Sequence, residues 1–274
     1  MFLSILFLYT YQGRVNAVKQ SSRWLYRITI FVLTVGIIYQ GLALFHGIKE
    51  QRVSSSYPFP YESFAYISVE LRVNPTNDTA EPIEISSKGS GMVVGTTIAG
   101  NSAVLTANHV CNPPPFLIAV WNSGAEKRIS VTDFNGNVYE ARVILSDIKD
   151  DLCLLEIEGS ISDGVKLSSN ELYIGEKVYS VAAPMAFFSP GMVPLLDGYY
   201  SGDIWSSNGI DSVYTVPARE GSSGSVILNA DGEIVGVVHS SLTGFQSVTI
   251  CSTQTQVRAF LAEFEYVLSG ILSH

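Results

Sequence analysis

Three separated segments carry residue types suited to acyl transfer. The first is AREGSSGSVIL (218–228), with three serines in four positions and glycines on both sides. The second is VLTANHVCN (104–112), which sets His109 where a strand runs out into a loop. The third is KDDLCLLEI (149–157), which presents Asp150 and Asp151 at the start of an apolar strand. A serine hydroxyl at neutral pH is a poor nucleophile. It needs a base within hydrogen-bond reach, a group that orients the base, and donors for the oxyanion. Of Ser222, Ser223 and Ser225, only Ser223 has glycine at both −2 and +1. Gly221 lets the backbone turn so that its own N–H and that of Ser223 converge. Taken singly, each segment has a plainer explanation: a loop, a structural histidine, a solvated aspartate.

These residues are spread over a chain that reads as short strands and turns from about residue 61. YISVELRV (66–73) alternates, with Ile67, Val69, Leu71 and Val73 on one side. GMVVGTT (91–97) and SAVLTA (102–107) come next. KRISVTDF (127–134) and VYEARVIL (138–145) flank Asn135-Gly136, a strong hairpin signal. After a looser stretch at 160–175 come KVYSVAAP, GYYSGDIWS, VYTVPA, SVILN, EIVGVVHSS and SVTICS, with a turn at Asn229-Ala230-Asp231-Gly232. About twelve strands in two halves predict an all-β fold, a sandwich or barrel pair. Val257, Phe260, Leu261, Phe264, Val267, Leu268 and Ile271 fall at helical spacing, so one helix closes the chain, capped by Ser252 or Thr253.

The three motifs, in this order, resemble a chymotrypsin-clan (trypsin-like) serine protease over roughly residues 64–270. VLTANHV is similar to the strand end that carries the family's base, and DDLCLLEI to the segment that carries its aspartate. GSSGSVILNADGEIVGVVHSS is similar to the nucleophile loop and its hairpin. The nearest branches are the Deg/HtrA and glutamyl-endopeptidase types, and some viral chymotrypsin-like proteases look equally near. The resemblance implies two six-stranded antiparallel β-barrels, with His109 as general base, Asp151 as its orienter and Ser223 as nucleophile. It implies an oxyanion hole from the N–H groups of Gly221 and Ser223. Asp151 is preferred to Asp150 because the family's apolar pattern starts on the catalytic aspartate, which leaves Asp150 pointing to solvent. Ser222 stands where the family has Asp or Asn, and Ser225 where a second glycine is commoner. Pocket walls fall on Pro217–Glu220 and Val238–Ser241, which makes Pro217, Glu220, His239 and Ser240 pocket candidates. Pro217 lies where trypsin has its acidic residue, so a Lys/Arg preference is not implied. Related enzymes hold Glu or Gln with a histidine in G-x-H; here GVVH is one residue longer, a shift that turns a strand side chain to the other face. His239 therefore lines the pocket, approaches Asp151 or fills space. The fold implies no metal or organic cofactor and a protein or peptide substrate.

Upstream, ITIFVLTVGIIYQGLALFHG (28–47) is 20 residues without Asp, Glu, Lys or Arg. That length spans a bilayer core of about 30 Å. Arg14, Lys19, Arg23 and Arg27 precede it, which keeps the N-terminus (1–27) cytoplasmic and translocates the chain beyond residue 47. Gly41-Leu42-Ala43 is a competing signal cleavage site, which would make the protein secreted. Residues 48–60 read as a linker, and 61–274 as the protease domain. A net charge of −9 argues against nucleic acid as the partner. Asn77-Asp78-Thr79 matches a glycosylation sequon. Cys111, Cys153 and Cys251 are either three thiols or one disulfide and a leftover thiol. Oligomeric state is not legible.

Overall fold

The computed structural model describes residues 59–73, 83–112, 125–207, 209–242, 244–245 and 247–271, with Thr34. The expected membrane span apart from Thr34, its basic flank, most of the linker and the sequon lie outside them. Among the described residues no helix is long and apolar enough to cross a membrane.

Two closed antiparallel barrels of six strands each make up the described domain. The first contains β1 (Phe64–Val73), β2 (Ile83–Thr96), β3 (Ser102–Ala107), β4 (Ala125–Asp133), β5 (Val138–Asp147) and β6 (Leu152–Ile157), in the order β1-β2-β3-β6-β5-β4. The second contains β7 (Lys177–Val181), β8 (Leu195–Ser206), β9 (Gly209–Tyr214), β10 (Val226–Leu228), β11 (Ile234–Ser241) and β12 (Thr249–Thr253), in the order β10-β11-β12-β9-β8-β7. The alternation in β1 is realised: Ile67, Val69 and Leu71 are buried, and Glu70 and Arg72 are exposed or nearly so. The β4–β5 hairpin turns at Gly136, whose φ of +92° suits glycine. VYTVPA is strand only as far as Tyr214.

The central apolar cluster draws on both barrels. Phe64, Met92, Leu105, Leu152 and Leu154 come from the first, and Val226, Leu228, Ile234 and Val237 from the second. Val257 and Phe260 of the C-terminal helix (Gln254–Ile271) join it, as their spacing predicts. Thr253 is the cap. Its hydroxyl accepts the Gln256 N–H at 3.2 Å, and the Gln256 side chain accepts the Thr253 N–H at 2.6 Å, a reciprocal capping box. Phe59, at the end of the expected linker, is buried with its ring 4.6 Å from Tyr179.

Glu156, 5% exposed, is one of two buried carboxylates of the first barrel among the described residues, with Asp133. Burial pushes its carboxyl up, but hydrogen bonds from Thr97, Asn101 and Arg142 and the Arg142 charge outweigh burial and hold it below the ordinary glutamate value. A depressed folded-state value contributes stability that is present above the unfolded-state value and lost as pH falls through the folded one. Glu156→Gln is expected to cost about 1–3 kcal/mol at neutral pH. Urea unfolding at neutral and acid pH checks this: the cost shrinks on acidification.

Candidate active site

β3 and β6 are buried along their whole lengths and pair with each other. Ala107, the last residue of β3, lies opposite Leu152, the first of β6. This register brings the residues just past β3 beside those just before β6. Asn108 N–H donates to Asp151 O at 3.0 Å, and His109 N–H to Asp151 Oδ1 at 2.8 Å. His109 begins its side-chain excursion from a single helical turn, Asn108–Cys111. Its Nδ1 lies 2.6 Å from Asp151 Oδ2. One carboxylate thus holds both the main chain and the ring of His109, leaving Nε2 turned outward. The imidazole is 42% exposed and the carboxylate 23%.

A disulfide joins Cys111 to Cys153, with Cα atoms 6.6 Å apart. Each cysteine lies two residues beyond His109 or Asp151, so the bridge clamps both segments. Cys251 is a free, buried thiol, pushed well above its usual value by burial and then by the Asp211 charge. Iodoacetamide is expected to modify Cys251 only after denaturation, which mass spectrometry would register.

Asp150 is not left to solvent. Its carboxylate accepts from the Gln256 amide at 3.0 Å, and its carbonyl from the Ser252 hydroxyl at 2.7 Å. The end of β12 and the first turn of the C-terminal helix therefore tie down the loop before Asp151, which itself has φ +52°, a left-handed conformation unusual outside glycine.

Ser223 lies in the turn between β9 and β10, half-buried, between buried Ser222 and Gly224. Gly221 has φ +89°, and a Cβ there would meet Ala183 O at 2.5 Å. Gly224 has φ +82°, and a Cβ there would fall 2.0 Å from the Thr106 hydroxyl. Both glycines are required by turn and by close approach. Ser223 O accepts the Ser90 N–H at 2.8 Å, joining this loop to β2 of the first barrel. Among the described residues no hydrogen bond runs from the Ser223 hydroxyl to His109. Ser222 and Ser225 face inward: Ser222 Oγ accepts the Arg219 N–H at 3.2 Å, and Ser225 Oγ accepts the Ser180 hydroxyl at 3.2 Å.

The pocket candidates divide. Pro217, Glu220 and Ser240 are exposed. The Glu220 carbonyl accepts the Met185 N–H at 2.6 Å. His239 is absorbed in a bulge: Val238 pairs with Cys251 and Ser240 with Ile250, which leaves His239 without a strand partner. Its Nε2 stands 3.4 Å from Asp211 Oδ1. The extra residue of GVVH is thus taken up by the bulge, and the imidazole meets Asp211 rather than Asp151. Sequence reading missed Asp211, Ser90, Thr106 and Met185. The Gly89-Ser90-Gly91 stretch inside a strand was the available signal, since strand glycines mark close backbone approach. Among the described residues no three His, Cys, Asp or Glu side chains are placed to hold a metal ion.

A family model described as "Trypsin-like peptidase domain" matches residues 89–237. A probable periplasmic serine endoprotease, DegP-like, of Ectopseudomonas mendocina (strain ymp) is 29% identical over 168 residues, covering 60% of this chain and 31% of that protein. The periplasmic pH-dependent serine endoprotease DegQ of Escherichia coli (strain K12) is 24% identical over 192 residues, 69% of this chain and 37% of that protein. The chain thus spans about a third of the length of these curated relatives. Among solved structures, an HtrA-type protease with a decapeptide superposes with a TM-score of 0.59 at 15% identity, covering 76% of this chain and 64% of that one. That likeness concerns the fold.

Proposed function

The chain belongs to the trypsin-like peptidase domain family, with curated relatives among the Deg/HtrA serine endoproteases, and from that premise we propose that it hydrolyses peptide bonds through an acyl-enzyme. His109 Nε2 takes the proton of Ser223 Oγ as Oγ attacks the substrate carbonyl carbon. The resulting oxyanion is received by the N–H groups of Gly221 and Ser223. Asp151 fixes the ring tautomer and stabilises the imidazolium. The C–N bond then breaks as Nε2 returns the proton to the leaving amine, and water, deprotonated by the same ring, releases the carboxylate. The observation that carries this reading is the double hold of Asp151 on His109, with the ring contact at 2.6 Å.

The substrate in this reading is an extended protein or peptide segment, with no cofactor. Residues 28–47 anchor the chain, 48–60 link, and the protease domain lies on the translocated side. Support comes from the basic flank before the span, from the Cys111–Cys153 bridge, which persists in oxidising compartments, and from relatives described as periplasmic. Carbonate extraction of membranes would retain the anchored chain, and release would sink the anchor.

Fluorophosphonate labelling of the full-length chain beside Ser223→Ala tests the chemistry. Labelling of the parent alone is the expected result. The open Ser223–His109 contact favours one second reading, a silent binding module on this fold. A folded parent that does not label would establish it.

A further inference from the structure

We propose that Ser90 is a positioning residue whose hydroxyl sets the oxyanion-binding peptide and couples it to the base-bearing strand; this rests on the peptidase reading above. Ser90 is wholly buried in β2 and uses every polar atom it has. Its N–H donates to Ser223 O at 2.8 Å. Its hydroxyl donates to Gly221 O at 2.8 Å and accepts the Ala183 N–H at 3.0 Å. Its carbonyl accepts the Thr106 hydroxyl at 2.8 Å. Thr106 lies in β3, three residues before His109.

The consequence is geometric. In a trans peptide the N–H points opposite to the C=O. The Gly221 N–H belongs to the peptide whose carbonyl, that of Glu220, is held by Met185 N–H at 2.6 Å. Pinning that carbonyl directs the Gly221 N–H the other way. The next peptide is pinned through Gly221 O by the Ser90 hydroxyl. The turn that supplies the Met185 N–H is itself held by Ser90 through Ala183. In that turn Met185 and Ala186 have φ +55° and +58°, a conformation that persists for non-glycine residues only when the surroundings enforce it. One hydroxyl therefore fixes both peptides around Gly221, one directly and one through the strained turn. Its removal leaves both free to rotate, while Ser223, His109 and Asp151 keep their side chains.

An oxyanion donor works only if it is aimed before the charge develops. Misaiming it weakens the transition state and leaves ground-state binding intact. The test compares the full-length parent with Ser90→Ala, using a fluorophosphonate–rhodamine probe whose phosphonyl oxygen gains charge at the oxyanion site as Ser223 Oγ adds to phosphorus through a five-coordinate state and fluoride leaves. Inactivation is resolved into kinact and KI, beside fluorescein-casein hydrolysis and thermal unfolding. The expected result is a loss of about 10- to 100-fold in kinact and in casein turnover. KI is expected to stay within about twofold. A merely structural serine would lower Tm and leave the kinact of the folded protein unchanged; that result overturns the proposal. A parent that neither labels nor cleaves overturns the peptidase reading and this inference with it. Should Ser90→Ala fail to fold, Thr106→Val decides, since it keeps the side-chain volume and removes only the bond to Ser90 O. A lowered kinact restored in Thr106→Ser supports the coupling, and an unchanged kinact overturns it.

Discussion

Ser223→Ala and His109→Ala are each expected to lower casein hydrolysis by about 10⁶-fold, and the double variant by no more, because nucleophile and base act as one unit. Asp151→Asn is expected to lose about 10⁴-fold. Its amide would offer Nδ1 a donor where the ring needs an acceptor, so the imidazole adopts the tautomer that cannot take the Ser223 proton. Asparagine is the informative substitution here for a backbone reason. Asp151 sits at φ +52°, and asparagine tolerates the left-handed region better than other replacements. The loop should therefore survive, and the loss reads as chemistry rather than collapse. Asp150→Asn serves as the comparison. Its carboxylate contacts Gln256, not His109, so activity should fall by no more than a few-fold, with a small drop in Tm. A greater loss of activity in Asp150→Asn than in Asp151→Asn would reverse their roles.

Replacing both Cys111 and Cys153 by serine is expected to cost about 3–4 kcal/mol, the chain-entropy value for a loop of this size. The bridge spans 42 positions and encloses β4 and β5. For a domain of this length the cost corresponds to a fall in Tm of about 6–16 °C. Activity of the folded fraction should decline much less. The Ala107–Leu152 pairing and the His109 N–H bond to Asp151 remain without the bridge, so they keep the base oriented. Calorimetry with and without dithiothreitol gives the measurement. An unchanged Tm in reductant and in the serine variant would show that the strand pairing alone closes this loop.

The fold was legible where physics is local. The alternation in β1 and the Asn135-Gly136 turn arise from side-chain period and from glycine's conformational range. The segments carrying His109, Asp151 and Ser223 were legible because each sits at a strand end or a glycine-bounded turn. Register across long separations stayed hidden. Asp150 was assigned to solvent because its partner, Gln256, lies 106 positions away. The cysteine pairing depended on β3 lying beside β6, a neighbour relation that spacing does not encode. His239 showed its one-residue offset in the sequence, but only the β11–β12 pairing reveals the bulge that absorbs it and the contact with Asp211. The proposed membrane span rests on hydropathy and on the basic flank, both read from residues 14–47.

The division of labour between the barrels has a bearing on the order in which the chain is made. In the proposed mechanism, base and orienter, like the bridge, belong to the first barrel, and the attacking hydroxyl belongs to the second. Domains fold as units, the N-terminal one first during synthesis. The β3–β6 pairing that sets base beside orienter thus precedes the serine in synthesis, while the loop before Asp151 waits for Ser252 and Gln256, which follow it. That serine is aimed only when the second barrel closes against Ser90. On that mechanism reactivity is expected to arrive last and all at once, which would shield the unfinished chain and its nascent neighbours from premature cleavage. Probing nascent chains of increasing length with a fluorophosphonate would show a single late onset rather than a gradual rise.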